Sequence, residues 1–286
     1  MKRKMTNSRR SALKTMGALG AASALISGKA LGQTSVRKAT ALALIGDSTH
    51  DTEYIQTALD TNIVKETDIT IDYTNDTKQL NASTLDGYRL LIACRGRIPE
   101  LTLMQQRSVR TFIQNGGSAL FLNNGIDIAT DTFIMRDIVG GHWIAGTDVR
   151  PYRVRIMGPG TRDRFLRPNM AHPITNGIKT FELTGIQQYC ECDMEIYHTL
   201  PSFVFMRSES INMKTYNNIP GHENYDRSVG DMGLGPWCPS GWAYEYRRRG
   251  GGRVCVMTPG SSIGEFMNPE FRKLQKNAAL WCLRQI

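Results

Sequence analysis

The stretch GGSALFLNNGID, residues 116–127, decides the fold. A glycine pair opens into a short apolar run that stops abruptly at Asn123-Asn124-Gly125. An apolar run of this length between turn residues reads as a strand covered on both faces. A sharp turn at the end of such a strand is where many α/β enzymes mount a nucleophile. Here the turn carries two amides and neither Cys nor Ser, so any chemistry has to come from the loops beside it.

Outward from this stretch, strand and helix signals alternate. TALALIG (40–46) is a continuous apolar run. Ile55, Ala58, Leu59, Asn62 and Ile63 recur at helical spacing and predict a helix over 51–64. DITIDY (68–73) and RLLIAC (89–94) read as the second and third strands. Leu101, Met104, Ser108 and Phe112 mark another amphipathic helix, which ends at Gly116-Gly117. The order β-α-β-β-α-β predicts a flavodoxin-like, open, mostly parallel sheet with helices on both faces. Ligands of such sheets bind outside the carboxyl ends of the strands. That draws attention to GDSTHD after the first strand, RGRIPE after the third and NNGID after the fourth.

Farther on, 152–157, 201–206 and 252–258 read as strands. A closing helix is signalled by Asn268, Pro269 and the apolar face Phe271, Leu274, Ala278, Trp281 and Cys282. Residues 207–241 are polar and rich in Gly and Asn, and read as a long loop or lid. Arg247-Arg248-Arg249 runs into Gly250-Gly251-Gly252 and reads as a solvated hairpin tip.

The N-terminus is expected to be an address and not part of the fold. Residues 1–32 combine a basic start, a Gly/Ala-rich apolar stretch and small residues near Ala30-Leu31-Gly32. Ser8-Arg9-Arg10 with Leu13-Lys14 resembles a twin-arginine signal, although Ala12 stands where that pattern has a bulky apolar residue. An ordinary secretory signal is the alternative. The apolar run 15–27 is too short and too glycine-rich to span a bilayer stably. The expectation is an exported, periplasmic or extracellular protein with no integral membrane span once the signal is removed, and an α/β domain over 33–286.

Removing the signal changes the charge argument. The chain has 35 Lys and Arg against 26 Asp and Glu, a formal +9. Seven of the basic residues and none of the acidic ones precede residue 33, which leaves 28 against 26, or +2. Phosphate recognition needs a concentrated basic surface, so nucleic acid is not an expected partner. Six cysteines in an exported protein raise the question of bridges. Cys94, Cys255 and Cys282 sit in apolar surroundings and read as core. Cys190 and Cys192 are too close to pair easily with each other, but Cys238 could bridge to either.

Several segments, in order, resemble the ThuA-like (trehalose-utilisation) family. They are ALIGDSTHD, LTLMQQRSVRTFIQNGGSALFL, IVGGHW, HPITNGIKTFEL, WAYEYRRRGGGRVCVMTPG and NPEFRKLQKNAALWCL. The resemblance implies a class I glutamine-amidotransferase-like fold and a place in carbohydrate utilisation. It also exposes two departures: Ser261 and Asn124 stand where such proteins usually or often carry His. Glutamine hydrolysis on this fold needs a Cys at the fourth-strand elbow, so Asn123 and Asn124 exclude a Cys-dependent glutaminase.

The candidate acid/base groups are His50 in GDSTHD, His142 in GGHW, and Glu191, Glu195 and His198 in QQYCECDMEIYH. Histidine exchanges protons near neutral pH, and carboxylates serve as acids, bases or sugar-hydroxyl acceptors. His172 before Pro173 reads as a structural turn. Asp47, Asn124, Asp127, Trp143, Trp242 and Tyr244 are candidate substrate contacts. Strand alternation puts Trp242 and Tyr244 on one face, as a stacking platform or as core. No compact metal-ligand spacing is present, no cofactor is expected, and a His-based divalent metal would have to be assembled from distant loops. Two functions stay open: an exported enzyme acting on a glycoside or modified sugar, or a non-catalytic carbohydrate-binding or partner-docking protein.

Overall fold

Nine strands form one sheet in the order β2-β1-β3-β4-β9-β8-β7-β5-β6 in the computed structural model. The structure describes residues 39–48, 50–96, 100–129, 132–159, 171–192, 203–211, 237–246 and 250–286, within one compact unit, Lys38–Ile286. The expected signal over 1–32 lies outside the described residues.

The first five strands of that order run parallel. They are β2 (Ile71–Thr74), β1 (Ala41–Ile45), β3 (Leu90–Cys94), β4 (Ser118–Leu122) and β9 (Arg253–Met257). Every residue of β1, β3 and β4 is buried, which is why these strands read as unbroken apolar runs. Their side chains alternate between two cores. Ala41, Ala43 and Ile45 pack with helices α1 (Thr52–Asn62) and α6 (Pro269–Cys282), whereas Leu42 and Leu44 pack with α3 (Leu103–Gln114) and α4 (Phe133–Val139). Helices therefore cover both faces, and the flavodoxin-like expectation holds. Short helices α2 (Ala82–Leu85) and α5 (Ile263–Phe266) are also present among the described residues.

Helix ends follow local chemistry. Asp51 caps α1 by accepting from Glu53 N, and Thr102 and Gln105 form a capping box on α3. Asn268 accepts from Glu270 N and Phe271 N, with Pro269 in the first turn of α6, as its sequence implies.

Beyond β9 the sheet turns antiparallel through β8 (Trp237–Glu245), β7 (Phe203–Ser210), β5 (Gly141–Ile156) and β6 (Phe181–Cys192). β8 and β9 form the expected hairpin; residues 247–249 at its tip lie outside the described residues. Strand also covers both ends of the segment read as a loop over 207–241, since β7 continues to Ser210 and β8 starts at Trp237. Residues 212–236 lie outside the described residues.

The long β5–β6 hairpin changes sides. Its register shifts between Trp143 and Ala145 and again between Gly146 and Val149. Each irregularity redirects the inward face. As a result Tyr152, Val154, Phe181 and Leu183 join the α1/α6 core, while Cys190, Cys192 and Trp143 lie against the α3/α4 core. The curled half of the hairpin lies over the carboxyl end of the parallel strands. Among the described residues no helix is long and apolar enough to cross a membrane.

Candidate functional site

The loops after β1, β3 and β4 converge at the carboxyl edge of the sheet. After β1, Asp47 N donates to His50 O at 3.0 Å, and His50 N returns a bond to Asp47 Oδ1 at 2.8 Å. This closed turn brings His50 Nδ1 to 3.0 Å from the same carboxylate oxygen. After β3, Gly96 N donates to Asp47 Oδ2 at 2.8 Å. Both side chains are nearly covered, at 5% exposure for Asp47 and 11% for His50. A carboxylate held by two backbone donors and an imidazole is held as the anion, and charge-assisted bonds of this type are about twice as strong as neutral ones.

Gly96 lets the carboxylates approach. A Cβ there would lie 3.2 Å from Asp47 Oδ2 and 3.5 Å from Asp127 Oδ2. Asp127 follows β4, in the 3-10 turn Asn123–Ala129. This turn is the elbow seen in the sequence. Asn123 adopts φ 45°, in the left-handed region that Asn tolerates better than most residues. At Gly125 a Cβ would sit 2.2 Å from Ala93 O, so a side chain there would collide with β3.

The elbow amides face β6. Asn124 Nδ2 lies 2.9 Å from His50 Nδ1 and 3.5 Å from Nε2. Its Oδ1 accepts from Gln188 Nε2 at 2.9 Å, and the same Nε2 donates to Asn123 Oδ1. Nδ1 of His50 cannot donate to Asp47 and accept from Asn124 in one tautomer. The ionised carboxylate is the stronger partner and places the proton on Nδ1. In that tautomer Nε2 carries the lone pair, the proton-accepting form of the ring, and the Asn124 amide lies nearer Nδ1 than Nε2.

A second group of polar residues lies on the hairpin. His142 and Glu191 are cross-strand partners in β5 and β6, with Nε2 3.6 Å from Oε2, and Arg136 of α4 is 4.0 Å from the same oxygen. Glu191 stays 40% exposed, so this pair contributes little stability. Glu191 is three residues beyond Gln188, about 10 Å along β6. The structure thus assembles Asp47, His50, Asn124 and Asp127 in one place and sets His142 with Glu191 beside it. Glu195 and His198 lie outside the described residues.

The aromatic candidates divide. Trp143 is half-buried against the α3/α4 core. Trp242 and Tyr244 do share a face, but that face is core. Trp242 is fully buried and donates Nε1–H to Val139 O at 2.8 Å, and the Tyr244 hydroxyl donates to Ile138 O. With both polar handles bonded to α4, neither ring presents a face to a ligand.

Two residues of the site escaped the sequence reading. One is Gln188, whose amide links both elbow asparagines. The other is Glu265, 1% exposed, whose Oε1 accepts from Tyr152 Oη at 2.6 Å. Its Oε2 accepts from Gly260 N at 3.0 Å, Ser261 N at 2.5 Å and Ser261 Oγ at 2.8 Å. Burial and the Glu265 charge push the Tyr152 phenol well above its ordinary range, so it remains a donor. Ser261 Oγ in turn accepts from Ile186 N at 3.1 Å. The signal for Glu265 was present as Ser262-x-x-Glu265, a capping-box pattern. Here the carboxylate reaches past the cap to Gly260 and Ser261.

The bridge that Cys238 could make to Cys190 or Cys192 is not formed: all six cysteines are free thiols and buried, and Cys238 Sγ donates to Gln188 O at 3.1 Å. Burial raises the Cys94, Cys190, Cys238, Cys255 and Cys282 thiols above their ordinary range, which keeps them protonated and unreactive. Among the described residues no three His, Cys, Asp or Glu side chains group as metal ligands would. A surface groove of about 290 Å³ lined by Asn62, Glu66, Pro269, Arg272, Lys273 and Lys276 contains none of the candidate residues.

Comparison with known proteins agrees with this architecture. Residues 37–282 match the family model ThuA, described as trehalose utilisation. A putative ThuA-like protein from Parabacteroides merdae superposes with a TM-score of 0.60 at 11% identity, covering 85% of this chain and 89% of that one. One from Bacteroides uniformis gives 0.57 at 15% identity, covering 85% and 90%. The chain also superposes on part of Gan42B, a GH42 beta-galactosidase, with a TM-score of 0.50 at 14% identity, covering 87% of this chain and 30% of that one. At these identities the likenesses show the fold alone. No curated protein matches the chain in sequence.

Proposed function

We infer the function from a premise the family match establishes: this chain belongs to the ThuA family, described as trehalose utilisation, and so is associated with carbohydrate utilisation. Within that association we propose an exported protein that acts on a glycoside or modified sugar by acid/base chemistry. The observation that carries the reading is the Asp47–His50–Asn124 arrangement, with a carboxylate on Nδ1 and an amide beside both ring nitrogens.

In this reading His50 Nε2 is the general base, taking a proton from a sugar hydroxyl or an attacking water. Asp47 fixes the tautomer and stabilises the imidazolium that forms, as the carboxylate does in hydrolase triads. Asn124 and Asp127 offer a donor and an acceptor to sugar hydroxyls, and the half-buried ring of Trp143 offers a stacking edge. His142 and Glu191 lie where a second acid/base pair could reach a longer substrate. Export rests on the basic, apolar and small-residue pattern of residues 1–32.

The test is turnover of a panel of glycosides and keto-sugars by the wild-type protein, His50→Gln and His142→Gln. Activity lost in His50→Gln supports the reading. Absence of turnover by the wild type, with sugar-dependent stabilisation against heat, would replace it with the non-catalytic binding reading. Fractionation of cells expressing the full chain tests export, and retention in the cytoplasm would remove that part.

A further inference from the structure

The last turn of α1 and one face of α6 enclose a groove of about 290 Å³, lined by Asn62, Glu66, Pro269, Arg272, Lys273 and Lys276. Asn62 closes α1 at the end opposite its cap Asp51. A helix of this length places the groove about 16 Å along α1 from the His50 turn. Its volume is at the lower end of small-molecule sites, which begin at about 300 Å³.

The cations of the groove are incompletely paired. Lys273 is taken by Glu270, with Nζ 2.7 Å from Oε1. Arg272 and Lys276 share Glu66, with Nη2 3.9 Å from one carboxylate oxygen and Nζ 3.6 Å from the other. Charge-assisted N–H···O bonds close to about 2.7–2.9 Å, so neither cation is bonded to Glu66. Two cations leaning on one carboxylate leave an excess of positive charge. A guanidinium fork beside an ammonium suits an oxyanion, the fork fixing its orientation and the ammonium adding a point charge. The end of α6 supplies no donors of its own. Residue 269 is proline, Asn268 already accepts from Glu270 N and Phe271 N, and Arg272 N donates to Asn268 O. An anion here is held by side chains.

Asn62, 1% exposed, forms the floor. Its Nδ2 donates to Phe266 O at 3.0 Å and to Gln275 Oε1 at 3.1 Å. Phe266 O can only accept, so the amide cannot be reversed, and Oδ1 is left without a donor. Buried acceptors without a partner are uncommon in folded proteins. A hydroxyl pressed against the floor supplies the missing donor.

We propose that this groove is a second ligand site, for a small anion that also carries hydroxyl groups. The anionic group bridges Arg272 and Lys276 in place of Glu66, and a hydroxyl donates to Asn62 Oδ1. In a protein associated with carbohydrate utilisation, such a molecule is a phosphorylated sugar or a sugar acid, which offer the same chemistry to these residues. The assignment does not depend on the reading of His50 as a base.

Binding is measured by calorimetry on the purified full chain in phosphate-free buffer, with glucose 6-phosphate, glucuronate, inorganic phosphate and glucose as probes. At least one of the two anionic sugars is expected to bind one to one, about tenfold or more tighter than glucose or inorganic phosphate. Whichever binds identifies the anionic group as phosphate or carboxylate. Replacing both cations, Arg272→Gln with Lys276→Gln, should weaken binding by about tenfold or more. Lys78→Gln removes a charge from the turn after β2 and should leave binding unchanged. Glu66→Gln releases both cations and should tighten binding several-fold, a gain that a damaged fold does not produce. His50→Gln should bind as wild type does, so failure of the proposed reaction and failure of this site are read separately. The proposal is overturned by absence of saturable binding of both anionic sugars, or by equal affinity for glucose or inorganic phosphate. An unchanged or weaker affinity in Glu66→Gln, or equal weakening by Lys78→Gln and the double replacement, overturns it as well.

Discussion

Tyr152 Oη donates to Glu265 Oε1 at 2.6 Å beneath the carboxyl edge, joining an antiparallel strand to the loop that follows the last parallel one. The same carboxylate gathers Gly260 N, Ser261 N and Ser261 Oγ, and Ser261 Oγ receives Ile186 N from β6. One buried anion thus holds the curled hairpin over the site. Gln188, two residues beyond Ile186, owes its position beside Asn124 to this anchor.

Glu265→Ala should therefore destabilise the protein strongly, because four donors lose their acceptor in a space closed to water. A loss of about 3 kcal/mol is expected, read as a lower urea midpoint. Glu265→Gln retains one acceptor oxygen and should cost less than half as much. Equal stability of the alanine variant and wild type would show that the donors find other partners.

His172 gives the stability a distinct acid limb. Its ring packs on Phe205 and Trp281 at 5.7 and 5.0 Å between centroids, and its Nδ1 accepts from Ile174 N at 3.3 Å. Burial, helped by the Arg253 charge, lowers it to about 4 from the ordinary 6.5. A depressed imidazole favours the neutral folded form. Its contribution is complete above the unfolded value and is lost as pH falls from about 6.5 towards about 4. The span corresponds to about 3 kcal/mol. His172→Asn can still accept from Ile174 N and does not titrate, so its stability should fall less over that interval. Parallel pH profiles for the two proteins would remove His172 from the account.

The parallel half was legible because burial on both faces of β1, β3 and β4 leaves a simple signature, continuous apolar residues closed by turns. The hairpin was not, because the shifts at Trp143/Ala145 and Gly146/Val149 break the two-residue alternation from which a face is read. The residues 152–157 therefore read as an isolated strand, although β5 begins at Gly141. The site divides along the same line. Asp47, His50 and Asn124 follow strands whose ends were visible in the sequence. Gln188 sits on β6, where neighbouring Gln187 and Gln188 look alike and only the fold shows which one meets the elbow. For Trp242 and Tyr244 alternation identified a shared face, and tertiary packing alone determined that it points inward.

The six thiols offer a test of packing that needs no substrate. All are buried and free, and burial holds most of them protonated. The native protein should resist alkylation, with all six sites modified once denaturant unfolds it. A mass two units lower for Cys238 paired with Cys190 or Cys192 under non-reducing conditions would contradict the free thiols. Rapid labelling of Cys238 in the native state would show that β6 and β8 separate.

Asp47→Asn separates orientation from charge at the proposed base. The amide still fills the space and its oxygen can accept from Gly96 N or His50 N, so the loop should fold with a small change in melting temperature. It can no longer stabilise an imidazolium, and its NH₂ can turn towards Nδ1 and move the proton to Nε2. Loss of the required tautomer in a comparable His–carboxylate pair lowers turnover about 10⁴-fold. A fall of at least 10²-fold in kcat is expected here, with sugar affinity nearly unchanged, because Asp47 acts through His50 and Asn124 and Asp127 make the proposed sugar contacts. If affinity falls and kcat holds, Asp47 belongs to substrate binding and the base has to be sought at His142 and Glu191.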